Sequence, residues 1–375
     1  MEKFQITVSS HELLSKLKAV GKVIKTSNVN PLHDYFMLEV DNQLLKVTAA
    51  DPEGNITAVV ECEIQPEVKA KFLIESKLLL NGLKELPEQP VILSVNISDR
   101  VEVSLIHSSG HYTLQALASD NFPMILQDDE THEIIMPSSC FVEGLRATIP
   151  FAGNDDLRPI MNSIYVECKN GQVNFTATNS SIMSVKEFYN HSAGPFSFIL
   201  PVKISKIMAD LAGEDDIIFH IGKRNVSATL GNNFLVYRLI EGNYPNYRSV
   251  IPKNNDKILK VNTREILGAL RRTSLFTNHS SLLVLLNINK NLTISGRDLD
   301  FQISAEEKLS CEWNTSESLE IGFKSTFLQQ CIDAVDTEDV QLTFSDSMRA
   351  CLISPADEKE DSSLTILVMP MQINL

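Results

Sequence analysis

The chain has 375 residues, of which 43% are hydrophobic and 22% charged, with a formal net charge of −15. That length is too great for one core and suits two or three domains of ordinary soluble composition. The negative charge excludes a protein that coats nucleic acid with its whole surface, yet permits a basic stripe on one face of an acidic body.

In chain order, the first predicted element is an amphipathic helix over SSHELLSKLKAV (9–20), where Leu13, Leu14, Leu17 and Val20 recur at helical spacing among lysines. A hairpin follows in DYFMLEV-DN-QLLKVTA (34–49), by its period-two pattern and turn residues. A second helix starts near Lys77, with Leu79, Leu80 and Leu83 on one side. The same order then recurs: a helix over PSSCFVEGLRAT (137–148), a hairpin in SIYVECK-NG-QVNFTAT (163–178), and a helix from near Lys203. It recurs once more, with a helix over NTREILGALRRT (262–273), a hairpin in LLVLLNI-NKN-LTIS (282–295) and a helix near Thr326. Ser10, Ser139, Thr263 and Ser325 are the expected helix caps. SDNFPM (119–124) and EGNYPN (241–246) match as well, placing Pro123 and Pro245 about one repeat apart.

Three copies of about 125 residues each imply three similar tandem domains, which build scaffold surfaces more often than single catalytic clefts. The boundaries fall in LQDDETHE (126–133) and IPKNNDK (251–257), giving domains 1–127, 128–254 and 255–375. Each is an α+β unit of two helices and about eight short antiparallel strands. The acidic PADEKEDSS run (355–363) reads as a solvated hairpin loop, and LTILVMPMQINL as a terminal strand with a Pro inside.

A search for chemistry finds none. His107 and His111 flank a Ser-Ser-Gly turn, which suits exposed imidazoles better than half a metal site. The pairs Asp128–Asp129, Asp155–Asp156 and Asp215–Asp216 lie in predicted loops, where adjacent carboxylates rarely converge on one atom. There is no Gly-rich phosphate loop, GxSxG or HExxH, so no enzyme, cofactor or metal is expected. The six scattered cysteines read as reduced core thiols. No apolar run reaches the ~20 residues that span a bilayer, and MEKFQITVSS has no signal-peptide core, so a cytoplasmic protein without membrane contact is expected. What does recur is cations on helices of all three copies.

The order of elements, SDNFP (119–123), EGNYPNYRSVIPKN (241–254) and the near-terminal VMPM (368–371) resemble the bacterial DNA polymerase III beta subunits, the replicative sliding clamps, from end to end. The resemblance implies three tandem clamp domains and a homodimeric six-domain ring, its helices lining a hole around duplex DNA. Twelve helices of ~10 Å width set side by side leave a hole of about 28 Å, wider than a duplex. The resemblance puts Lys16, Lys25, Lys77, Arg146, Arg158, Lys203, Arg264, Arg271 and Lys324 on the DNA-facing side. Tyr112 and Leu114 of copy one and Leu275 and Phe276 of copy three fall at the ring-closing contact, where ordinary core is the alternative reading.

The resemblance further implies that partners dock a short peptide between the second and third domains. The matching positions are Met161, Thr178, Ser181, Met183, Pro245, Val250, Met348, Leu367, Val368, Met369, Pro370 and Met371. The implied partners are the DNA polymerase III alpha subunit, the clamp loader and other proteins with a clamp-binding motif. The chain departs from the family in two places. Where the family often has Asp-Gly-His-Arg-Leu, it reads Asn179-Ser180-Ser181-Ile182-Met183, and its end runs on as Gln372-Ile373-Asn374-Leu375. The sequence therefore implies a non-catalytic processivity clamp. A clamp-fold scaffold or paralogue with altered partner choice is the alternative, and an enzyme using loop carboxylates finds no support.

Overall fold

The computed structural model describes residues 2–25, 29–155, 157–190, 194–357 and 359–372. Asp156 and the terminal Ile373-Asn374-Leu375 lie outside the described residues, and with them half of one acidic pair and most of the extended terminus. Six α-helices are described: α1 (Ser10–Gly21), α2 (Ser76–Lys84), α3 (Ser138–Thr148), α4 (Val202–Leu211), α5 (Thr263–Ser274) and α6 (Ser325–Asp333). The apolar stripe fixes each one. In α1, Leu13, Leu17 and Val20 are fully buried, and in α5 so are Ile266, Ala269 and Leu270.

The helix starts differ from expectation by one residue. Ser10, Thr263 and Ser325 are the first residues inside their helices, and the capping positions are Ser9, Asn262 and Lys324. Of these three only Asn262 caps with its side chain, accepting from the backbone N–H groups of Arg264 and Glu265, each at 3.2 Å. The third helix begins at Ser138, one residue before the expected Ser139. Two of these leading hydroxyls, those of Ser10 and Ser138, serve tertiary contacts instead. Ser10 Oγ donates to the Pro87 carbonyl (3.2 Å) and accepts from the Gln89 N–H (3.1 Å), while Ser138 Oγ donates to the Gly213 carbonyl (2.6 Å). A buried hydroxyl so employed is unavailable to cap its own helix.

The chain forms two compact units, Met1–Ser139 with Lys206–Leu239, and Cys140–Ser205 with Ile240–Leu375. The first holds a five-stranded antiparallel sheet that ends at the edge strand Gly110–Leu114, and a nine-stranded sheet. In the nine-stranded sheet, Gly54–Val60 pairs with Asn233–Arg238, bringing Thr57 opposite Phe234. The second unit repeats the plan. Its nine-stranded sheet is joined where Ile182–Phe188 pairs with Ser362–Val368, bringing Met183 opposite Leu367, and its four-stranded sheet ends at the edge strand Ile303–Leu309. These long-range pairings explain why the compact units cut across the threefold repeat: strands of the middle third extend the sheets of both flanking thirds.

Local sequence accounts for the hairpins. Asn170 and Gly171 both have positive φ (53° and 75°), as a two-residue turn between right-twisted strands requires. Alternation puts Phe36, Leu38 and Val40 into the core, and α1 packs against α2 and over the strands Leu44–Ala50 and Gly54–Val60. Gly54 permits close approach, because a Cβ there would fall on the Tyr237 ring and the Val236 carbonyl. The terminal strand is Ser362–Val368, so Pro370 lies beyond it rather than inside it.

Candidate functional site

A cavity of about 640 Å³ opens in the second unit. Its floor is one transverse row of the nine-stranded sheet, in which Thr178 pairs with Met183, Met183 with Leu367 and Leu367 with Leu352. Met183 and Leu367 pack there with Val185, Tyr247 and Ala350. The rim is apolar and open: Val250 is 58% exposed, Met348 64% and Met369 46%. Met161, Ser181 and Pro245 complete the anticipated lining. Such a hollow, with an apolar floor and a few polar groups at its edge, suits short apolar side chains.

Three anticipated residues do not line it. Val368 is 1% exposed and turned to the opposite face, where it pairs with Ile182 and Cys351. Met371 donates its N–H to the Gly322 carbonyl at 2.8 Å and bridges to the strand Leu319–Lys324, and Pro370 carries the chain there. The reason is strand periodicity: with Leu367 and Met369 facing the cavity, the residue between them faces away. A contiguous run could not all point one way.

The 179–183 turn keeps its shape by side-chain bonds. Asn179 Oδ1 accepts from the N–H groups of Ser181 (2.9 Å) and Ile182 (3.0 Å), and Thr178 Oγ1 donates to the Ile182 carbonyl (2.8 Å). Ser180 holds φ at 80°, the left-handed region, where the family often has Gly. Ile182, in place of the family's Arg, is fully buried. Against the pattern the resemblance implies, the chain thus lacks a cation and an imidazole here while the turn is formed. Met369 donates its N–H to the Ser181 carbonyl at 2.9 Å, which fixes the terminal segment beside the turn.

The cavity also uses residues that the sequence reading passed over. Tyr247, 6% exposed, donates to Glu167 Oε1 at 2.6 Å, and Arg248 reaches the same oxygen at 3.0 Å. Burial alone would raise the Glu167 pKa, but those two bonds outweigh it and hold the carboxyl below its ordinary range. Burial, together with Glu167, pushes the Tyr247 hydroxyl well up. Asn255 Nδ2 latches the neighbouring segment by donating to the carbonyls of Thr343 (2.9 Å) and Ala350 (3.2 Å). Asp346 Oδ1 accepts from the N–H groups of Met348 and Arg349, which turns both side chains outward. In the sequence Tyr247 shows only as the second of two tyrosines flanking Pro245 in EGNYPNYRS (241–249), which does not reveal its bond to Glu167.

A second feature is the placement of charge. The six helices carry ten Lys and Arg against five Asp and Glu, in a chain of net charge −15. Lys77, Arg146 and Arg264 are exposed on α2, α3 and α5, while Lys16 and Lys203 are partly buried on α1 and α4. Lys25 lies 4.0 Å from Glu53, and Lys324 Nζ sits 4.7 Å over the Phe327 ring. Arg158 and Arg271 are already paired with Asp155 (2.8 Å) and Asp333 (3.0 Å). Arg272 grips Glu307 through two bonds of 2.8 and 2.6 Å, so it serves the fold.

Of the four candidate ring-closing residues, two lie on a sheet edge and two just after α5. Leu114 is 7% exposed within the edge strand Gly110–Leu114, and the half-buried Tyr112 ring lies 4.8 Å from His107. Leu275 ends α5 at 74% exposure, followed by Phe276 at 39%. Leu299, Phe301 and Ile303 are also exposed large apolar residues, which the sequence pattern did not single out. Among the described residues, no His/Cys/Asp/Glu group has the geometry of a metal site, and no helix is long and apolar enough to cross a membrane.

Comparison with known proteins first gives the class. The fold is that of the sliding clamps: a DNA polymerase sliding clamp from Pseudomonas aeruginosa superposes with a TM-score of 0.91 at 24% identity, covering 99% of this chain and 100% of that one. A sliding clamp from Bacillus subtilis gives 0.91 at 18% identity, covering 100% of both. Sequence models of the N-terminal, central and C-terminal domains of the DNA polymerase III beta subunit match residues 4–126, 136–246 and 248–372, and the chain belongs to that family. The beta sliding clamp of Haemophilus influenzae is 26% identical over 378 residues, spanning 98% of this chain and 100% of the relative.

Proposed function

We propose that this protein is a DNA sliding clamp, which encircles duplex DNA and confers processivity on the replicative DNA polymerase. The observation that carries this reading is the segregation of charge. Helices with a twofold excess of cations belong to a strongly acidic chain of the DNA polymerase III beta family. Two copies joined at the Tyr112–Leu114 and Leu275–Phe276 surfaces give a closed ring of six domains, with domains at 1–127, 128–254 and 255–375. An acidic exterior repels DNA, and a modestly basic inner wall tolerates it. Retention is then topological. Tight phosphate neutralisation would steepen the salt dependence and hinder sliding, so the pairing of Arg158 and Arg271 with carboxylates suits the role.

The protein carries no chemistry of its own in this reading, needs no cofactor or metal, and works in the cytoplasm. Its partners are the DNA polymerase III alpha subunit, the clamp loader and other proteins bearing a clamp-binding motif. Each docks a peptide with a Gln head and Leu and Phe anchors in the cavity floored by Met183 and Leu367. The replacement of the family's His and Arg by Ser181 and Ile182 favours a second possibility, a paralogue with altered partner choice. Primer extension on a primed circle tests the main reading. Adding this protein and a clamp loader lengthens the products made per polymerase binding event, and unchanged product length contradicts it.

A further inference from the structure

Beside the cavity, and separated from it by the ridge Pro245–Asn246–Tyr247 that lines both, lies a groove of about 360 Å³. The floor of the groove is aromatic. Tyr165 and Tyr244 stack at 4.9 Å with 6° between their planes, and Tyr247 meets Tyr165 edge-on at 6.4 Å. Its walls are cationic. Arg248 is exposed at one side, and Lys169 is exposed at the hairpin turn.

The single carboxylate in the groove is already committed. Glu167 accepts from Tyr247 and Arg248 and has a side chain only 16% exposed. Arg248 makes these contacts through one terminal nitrogen, which also donates to the Asn174 amide oxygen (2.6 Å) when that amide is oriented to donate to Glu187. A guanidinium has five donors in a planar fork, so its outer edge remains available to a second carboxylate. The cavity has the same bias. Lys253 and Arg349 line it and no carboxylate does, although Asp346 lies 3.4 Å from Arg349 and offsets part of its charge. In a chain of net charge −15, groove and cavity together hold four cations against the one carboxylate of Glu167, a local excess of positive charge.

We propose that the groove receives the segment of a partner that flanks the cavity-bound peptide, and that Arg248 and Lys169 select acidic residues in that segment. This rests on the cavity being the peptide site. The ridge is three residues wide, and an extended flank of four residues, reaching ~13 Å, crosses it. Apolar anchors then supply most of the affinity. The groove supplies discrimination, because exposed charge pairs are individually weak but repel the wrong sign.

The test is fluorescence anisotropy with the full-length protein and a labelled peptide bearing a Gln head and Leu and Phe anchors. The peptide is used alone or extended at either end by four Glu, four Ser or four Lys. At low salt, the Glu extension at one end binds about three- to tenfold tighter than the Ser extension, the Lys extension binds weaker, and the difference fades in 0.5 M salt. Lys169→Glu reverses the order of the Glu and Lys extensions, and Arg248→Lys brings the Glu/Ser ratio towards one. Equal affinities for all extensions, with the unextended peptide still binding, overturn the groove and leave the cavity standing. Failure of the unextended peptide to bind overturns the cavity reading itself. Displacement of the Glu-extended peptide by a single-stranded oligo-dT assigns the cations to nucleic acid and overturns the proposal.

Discussion

Met369 and Met371 stand two residues apart in the VMPM segment, yet the structure gives them different work, and a pair of alanine variants separates them. Met369 is 46% exposed at the rim of the cavity, its N–H fixed on the Ser181 carbonyl at 2.9 Å. Burying a whole methionine side chain gains about 1.5–3 kcal/mol, so covering the exposed half with a peptide gains about 0.7–1.5 kcal/mol. Met369→Ala should therefore weaken a peptide bearing Leu and Phe anchors by roughly three- to tenfold. Met371 lies outside the cavity, bridged to Gly322, so Met371→Ala should change the same dissociation constant by less than about twofold. Anisotropy titration of a labelled peptide reads both values, and a circular dichroism melt checks that both variants are folded. Equal weakening by the two variants, or none by Met369→Ala, refutes the assignment of the cavity wall.

Three further outcomes follow from the geometry. Arg264→Ala, at an exposed cation on α5, should lower the slope of log affinity for duplex DNA against log salt by about one. Arg271→Ala should lower it less, because its guanidinium is held by Asp333, and the reverse order contradicts the helix-face reading. Leu275→Asp, at a residue 74% exposed, should shift sedimentation from dimer to monomer without lowering the melting temperature, and an unchanged dimer removes that contact. Glu143 accepts from the buried Lys186 at 2.9 Å and from Lys359 at 3.3 Å. Burial alone would raise its pKa, but these partners hold it below the ordinary carboxyl value of 4.5. Its contribution is thus present above pH ~4.5 and lost as pH falls through the folded value. The melting-temperature gap between wild type and Glu143→Gln should be steady from pH 8 to about 5.5 and close below pH ~4.5. A gap that widens in acid contradicts this.

The helices were legible because their signal is local. Leu13, Leu17 and Val20 sit at helical spacing and are all fully buried, and the helix starts lie within one residue of expectation. The caps were less legible because a serine at a helix start has two uses. Ser10 spends its hydroxyl on Pro87 and Gln89, distant partners that no local pattern encodes. The threefold repeat was visible, but not the continuous nine-stranded sheets, since the pairing of Met183 with Leu367 joins residues far apart in sequence. At the cavity, Met369 is the one VMPM residue on the wall. Strand alternation decided which residues of that segment face inward, sending Val368 to the core and Met371 to another strand. Tyr247 and Asn255 were hidden because their importance lies in bonds to Glu167, Thr343 and Ala350, which only the folded chain brings together.

The central claim is enclosure, and retention on closed versus open DNA tests it most directly. Labelled protein is loaded by a clamp loader onto nicked circular duplex and washed in high salt, and half of the sample is then linearised with a restriction enzyme. A ring that holds DNA by topology remains on the circle through the wash and is lost once the molecule has ends. Equal loss from circular and linear DNA, or equal retention on both, contradicts the account.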